Sequence, residues 1–262
     1  MNTIDLIQFG NQFREEYDHP TTIFQDDGHS IHWLGVPEAT ACRSNTYLIV
    51  DHDEAILVDP GGVGHFEFIR NRVAQILPPQ RVTGLVLSRP DPDVAASFPL
   101  WVELNPAVNV FTSSRALPLL NHYRDWDFNS VNVIDHPEFQ FISGRSVRFI
   151  PSPFLPSPGA FTTWDPFSKF LFSGAVWSAV DIEWTLVVEE FRKHQLKLNL
   201  YHLDVMASGK AARGFAERIK GMEIHAILPN HGSIIPAPFV PMAIDYLKRL
   251  NCGTDIMYPT IN

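Results

Sequence analysis

Gly84-Leu85-Val86-Leu87-Ser88-Arg89-Pro90-Asp91-Pro92-Asp93-Val94 constrains this chain more than any other stretch, because an apolar run is broken off there by alternating prolines and carboxylates. Gly84 to Leu87 read as a buried strand. Pro90 and Pro92 forbid its continuation, since neither has an N–H to give to a sheet ladder. Asp91 and Asp93 are thereby placed on a stiff loop at the carboxyl end of a strand, the edge at which open α/β sheets carry their chemistry. Two carboxylates two residues apart are hard ligands, so a cation site is expected if nitrogen ligands from elsewhere converge on them.

The flanking pattern supplies elements to surround that edge. Thr22 to Gln25 and Ser30 to Leu34 enclose Asp26-Asp27-Gly28, and Thr46 to Val50 and Ala55 to Val58 enclose Asp51 to Glu54, so two hairpins are expected before Asp59-Pro60-Gly61-Gly62. Phe66, Ile69, Val73, Ile76 and Leu77 recur at helical spacing, as do Phe98, Trp101 and Leu104 ahead of a strand over Val108 to Phe111. The second half repeats the rhythm, with hairpins over Phe139–Ile150 and Phe161–Phe172. Helices are expected from about Ala179 to Lys220, carrying Trp184, Leu186, Val187 and Phe191. A strand over Ile224 to Leu228 then ends in Pro229-Asn230-His231-Gly232, and Pro238 to Leu250 closes the chain as a helix. Two halves of hairpins followed by α/β alternation predict an α/β fold of two face-to-face sheets with helices outside, a four-layer αββα sandwich.

Composition limits the function. The 262 residues, 45% of them hydrophobic, can bury a large core, and no Gly- or Ser-rich linker divides them, so one domain over 1–262 with a polar lead-in at 1–21 is expected. A net charge of -9 without any Lys/Arg run argues against nucleic acid and membrane as partners. Cys42 and Cys252 have no metal-like spacing, and neither a signal peptide nor a membrane span is visible, so a reduced, cytoplasmic protein is expected.

Asn45-Thr46-Tyr47-Leu48-Ile49-Val50, Asp59-Pro60-Gly61-Gly62, Leu87-Ser88-x-x-Asp91-Pro92-Asp93-Val94, Phe170-Leu171-Phe172-Ser173-Gly174 and Pro229-Asn230-His231-Gly232, in that order, resemble the metallo-β-lactamase fold. With Phe154-Leu155-x-Ser157-Pro158-Gly159 and Asn251-Cys252-Gly253, the chain looks more specifically like the oxygen-binding di-iron proteins, relatives of the lactamase-like domain of flavodiiron proteins. The resemblance runs from about Ile31 to Cys252 and implies a four-layer sandwich with a di-metal site at one edge.

The same resemblance implies that this site is degenerate. The family's histidine two residues before the first loop carboxylate is Arg89 here, its histidine after the Phe-Leu pair is Pro156, and its bridging carboxylate is Ala175. Asp91, Asp93 and His231 match. Arg89 cannot deprotonate to coordinate a cation, and paired metals need several ligands each and a bridge. Three residual groups leave at most a single ion on Asp91, Asp93 and His231, opposed by the guanidinium beside them.

The expected reading is a member without a complete di-metal site, with no catalytic or cofactor-binding residues, acting as a binding, sensing or regulatory protein beside a protein partner or paralogue, with a homodimer also open. No cofactor is expected, and iron or zinc at partial occupancy is the alternative. The competing class is a metal-dependent hydrolase or an oxygen-binding or oxygen-reducing protein, drawing electrons from another protein because no flavin domain follows in these residues. A third reading makes Arg89 an anion-recognition group. Asp59 is expected to bond the amides of its own turn, and His202 is left between a pocket position and the helix surface. His29, His32, His52, His65, His122, His136, His194 and His225 are read as surface or core.

Overall fold

The computed structural model describes residues 2–3, 6, 19–35, 42–124, 127–180 and 185–260. Most of the polar lead-in, and Trp184 among the expected helical residues, lie outside them.

Among the described residues the strands form two sheets. The first runs in sequence order: β1 (Asn2–Thr3), β2 (Thr21–Asp26), β3 (His29–Trp33), β4 (Tyr47–Asp51), β5 (Glu54–Val58), β6 (Val82–Val86), β7 (Asn109–Thr112) and β8 (Asn129–Asn132). The pairings from β2 to β5 are antiparallel, and those from β5 to β8 are parallel. At the first hairpin Asp27 and Gly28 both take positive φ, 42° and 74°, the two-residue turn whose twist suits paired strands. The second sheet contains β9 (Glu138–Gln140), β10 (Ser146–Pro151), β11 (Phe161–Asp165), β12 (Phe170–Gly174), β13 (Ala226–Pro229) and β14 (Ile235–Pro236), in the order β14-β13-β12-β11-β10-β9.

The helices are α1 (Phe66–Ala74), α2 (Pro92–Ala95), α3 (Phe98–Leu104), α4 (Leu117–Leu120), α5 (Phe191–Val205), α6 (Gly209–Arg218), α7 (Val240–Arg249) and α8 (Thr254–Met257). Three apolar clusters show how the layers stack. Ile31, Tyr47, Ile56 and Phe111 of the first sheet meet Phe149, Phe161, Phe172 and Leu228 of the second in one buried cluster. Leu48, Leu57 and Leu85 face outward onto Ile69, Val73 and Trp101 of α1 and α3. Leu171 and Ile227 face the other way onto Leu198, Phe215 and Leu247 of α5, α6 and α7. Alternate side chains of a strand point to opposite faces, so each sheet is apolar on both, and the αββα order follows.

Two expectations need correction. Helix does not begin near Ala179: residues 185–190 carry no helix, Val187 makes a parallel bridge to Ile234, and α5 starts at Phe191. Leu186 and Val187 pack in the cluster between the sheets, so their apolar spacing served a strand-like contact. Pro92 does more than end a strand. It is the first residue of α2, where its missing N–H would be unpaired in any case, with Asp91 as the N-cap.

Gly84 in β6 lets its neighbours close over the strand: a Cβ there would lie 2.8 Å from Ile56 Cγ2 and 2.9 Å from Phe111 Cε2. Gly84→Ala is expected to destabilise by about 1–3 kcal/mol through overpacking between two buried side chains. The check is a lowered urea midpoint at unchanged m-value.

Candidate functional site

The loop after β6 is fixed before its charged residues are placed. Asp59, just past β5 and at φ 52°, accepts hydrogen bonds from Ser88 N and Ser88 Oγ, both at 3.0 Å. It therefore ties the ends of two parallel strands together rather than bonding the amides of its own turn. Gly61 N donates to Val94 O at 3.0 Å and Ser97 N to Gly61 O at 3.0 Å, which docks the glycine turn against α2. Arg89, Asp91 and Asp93 then project from a backbone held on both sides.

Arg89 is the centre of the site. Its side chain is 4% exposed, and its Nε donates to Asp91 Oδ2 at 2.9 Å. Its Nη1 donates to Asn230 Oδ1 at 3.0 Å, and its Nη2 contacts Asp93 Oδ2. The same Asp93 oxygen accepts from His231 Nε2 at 2.8 Å, while His231 Nδ1 lies 3.0 Å from Arg43 O and 3.5 Å from Cys42 Sγ. Asp91 also accepts from Ser157 Oγ at 3.2 Å.

The opposite loop, after β13, is clamped by the first sheet. Asn45 Nδ2 donates to Pro229 O at 2.9 Å and Gly232 O at 2.8 Å, and Tyr47 Oη donates to Pro229 O at 3.0 Å. Trp33 Nε1 in turn donates to Asn45 Oδ1 at 3.0 Å. The motif residues Asn45 and Tyr47 thus hold the backbone that presents Asn230 and His231.

Electrostatics follow from these contacts. Burial drives the Asp93 carboxyl up, but the His231 hydrogen bond and the Arg89 charge outweigh it and hold its pKa down at about 2. Burial pushes the His231 imidazole down, yet its bond to Asp93 raises it to about 9, so the ring is protonated at neutral pH. The Arg89 guanidinium is desolvated, and the carboxylates around it keep its pKa raised. Asp59 is lifted by burial to about 6 despite Arg89 and Ser88. Arg89 and the His231 imidazolium thus face the Asp91 and Asp93 carboxylates, two positive charges against two negative.

The sequence-derived candidates Asp91, Asp93, His231 and Arg89 are therefore brought together. Pro156 joins them on the wall of a cavity of about 410 Å³. Ala175 lies elsewhere, buried behind the end of β12 in the cluster against the helices. The cavity also takes Cys42, His65 and Tyr201, which sequence reading did not place there. Tyr201 is the neighbour of His202, whose place the sequence left open, while Cys42 and His65 gave no spacing that could have marked them. His202 is neither a pocket residue nor on a helix surface. It is fully buried, its Nδ1 donating to Leu198 O at 2.9 Å and its Nε2 accepting from Trp177 N at 3.0 Å.

A pair of metal ions does not fit these residues as they are placed. The guanidinium bonds both carboxylates and lies against the imidazole, and no group of three or more His, Cys, Asp or Glu among the described residues is arranged to hold an ion.

Comparison with known proteins places this geometry in context. Residues 42–232 match the family described as ODP family beta lactamase. The structure titled "Peroxy diiron species of chemotaxis sensor ODP" superposes with a TM-score of 0.81 at 29% identity, over 93% of this chain and 100% of that one. The apo state of chemotaxis sensor ODP from T. denticola gives 0.79 at 28% identity, over 92% of this chain and 99% of that one. A nitric oxide reductase of Moorella thermoacetica is 33% identical over 123 residues, 47% of this chain and 30% of its own length. The chain spans about a third or less of the curated relatives it matches.

Two outcomes are expected. Arg89→Ala leaves Asp93 and Asp91 without their cation, and breaking a buried pair costs about 3–5 kcal/mol. Asp91 is 42% exposed, so solvent screening puts the loss near the lower end. Denaturant titration of the variant checks it. His202, fully buried, has its pKa lowered by desolvation from 6.5 to about 4. A depressed folded-state pKa gives stability present above pH 6.5 and lost as pH falls toward 4, on the order of 3 kcal/mol. Melting temperatures across that window should fall less steeply for His202→Gln.

Proposed function

The chain belongs to the ODP family of β-lactamase-fold proteins, and from that premise we propose that this member works without paired metal ions, as a binding, sensing or regulatory protein. One observation carries the reading: a buried guanidinium bonded to both loop carboxylates, with a protonated histidine on the second. The carboxylates need a cation, and Arg89 supplies one that cannot be lost to a chelator or change oxidation state. The self-neutralised centre also weighs against the anion-receptor reading, because Arg89 has no uncompensated charge to offer.

Without a metal the site's residues still hold one another. Asp93 keeps the His231 proton, Asn230 orients the guanidinium, and Ser157 holds Asp91 toward the cavity. Such a site suits a rigid recognition surface or a switch read by another protein. The chemotaxis-sensor likeness at 29% identity favours the sensing form of this proposal. The same likeness, to a chain whose title records a peroxy diiron species, supports the competing reading of an oxygen-binding iron protein.

Metal analysis separates them. Protein purified without chelators, then offered ferrous iron anaerobically and desalted, is expected to retain well under one equivalent and to show no oxygen uptake. Retention of two equivalents would overturn the proposal. The combined variant Arg89→His, Pro156→His, at the two altered positions that line the cavity, is expected to gain iron or zinc binding, since Asp91, Asp93 and His231 already lie in place. If that variant folds but binds no more metal than the parent, the view of an altered di-metal site fails.

A further inference from the structure

We propose that the groove between α6 and the proline-rich run 151–158 binds a small apolar monoanion, an aryl ring carrying a carboxylate. The groove measures about 450 Å³, within the range of small-molecule sites. Pro151, Pro153 and Phe154 form one wall, and Ala211 and Phe215 of α6 form the other. The Phe154 ring is 46% exposed, and its backbone stands at φ 64°, a value that a bulky side chain adopts only under strain. Strain of this kind gathers at ligand clamps, where it presents a side chain that packing alone would not select. The flat faces of two prolines and a phenylalanine suit an aromatic body. Gly214 gives the groove its depth, since a Cβ there would meet nothing within 4 Å. Lys210, Gly214 and Arg218 are four residues apart and fall within an arc of about 80° on α6, so this open position stands between two cations.

Charge selects the head group. Among the described residues neither Lys210 nor Arg218 pairs with a carboxylate, and Arg218 Nη1 donates to Pro151 O at 2.7 Å, which lays the guanidinium across one end of the groove. Glu217, the one acid of α6, is bonded to Lys220, and Asp255 of α8 accepts from Gly209 N and Cys252 N. Two uncompensated cations beside an apolar groove, in a chain of net charge -9, make a local positive site that a carboxylate completes. A lipid surface fits less well, because the cations flank a recess and not a broad basic face. The proline-rich run also joins this groove to the Arg89 centre. Phe154 N donates to Ser157 O at 2.8 Å, Ser157 Oγ bonds Asp91, and Pro156 lies on the wall of the cavity at Arg89. As an input to that centre the groove rests on the sensing reading above; as a binding site it is measured independently of it.

The test is calorimetric and fluorescence titration of the full chain with 2-naphthylacetate, beside 2-naphthaleneethanol for the ring alone and acetate for the head alone. One-to-one binding of naphthylacetate is expected, with the alcohol weaker by about tenfold and acetate silent. Lys210→Ala and Arg218→Ala should each weaken binding by about threefold, since both cations are exposed. Gly214→Leu is expected to abolish binding with unchanged circular dichroism and an equal or higher melting temperature, because leucine is the better helix former and its Cβ meets nothing. No saturable heat or fluorescence change up to about 1 mM ligand overturns the proposal. So does an alcohol that binds as tightly as the acid, or binding that survives Gly214→Leu. Iron retention by the parent would overturn the metal-free reading and leave these outcomes unchanged, so the two fail separately.

Discussion

A guanidinium taken out of water must be surrounded by acceptors or it unfolds its surroundings, and Arg89 decides the shape of one edge of this sandwich on that account. Its nitrogens reach Asp91, Asp93 and Asn230, so a single side chain joins the loop after β6 to the loop after β13. The two sheets meet at this edge through an ionic contact where their centres meet through apolar ones. Asp93 gains a second cation in His231, and the two together hold its carboxyl well below the usual carboxylate range despite burial.

That arrangement competes with metal binding in measurable terms. A metal ligand must be a neutral imidazole, and a histidine titrating at about 9 gives up its proton at neutral pH at a cost of about 3 kcal/mol. Asp93 would in addition have to exchange Arg89 for the ion. The first ion would thus enter against its own charge.

The layers of the fold were legible in the sequence because the strands are near-continuous apolar runs, apolar on both faces, and their turns carry Asp, Gly and Pro at the required places. The segment 185–190 was not, because a short apolar run such as Leu186-Val187-Val188 fits a helix face and a buried bridge equally well. At the site, Asp91, Asp93 and His231 could be grouped on resemblance and on their strand-end positions, and Arg89 was readable as their counter-charge. The further partners depend on contacts that no local spacing records: Cys42 and His231 are 189 residues apart, and Arg89 and Asn230 are 141 apart. Asp59 was misread for the same reason, since its acceptor geometry is satisfied by Ser88, 29 residues on, and not by its own turn.

The supports of the site also explain how the fold holds Arg89 between the two carboxylates. Asn45 and Tyr47 hold the His231 loop through backbone carbonyls, and Asp59 holds the Arg89 loop through Ser88, all with neutral or protein-borne groups. In small metal-dependent domains the ion supplies the folding free energy. Here that energy comes from apolar clusters on both faces of each sheet, and the loops are closed by hydrogen bonds and ion pairs between groups of the chain itself. The site is therefore carried by the sandwich and does not hold it up. Its charges can be exchanged provided their sum near Asp91 and Asp93 stays close to zero, and an arginine with a protonated histidine meets that condition.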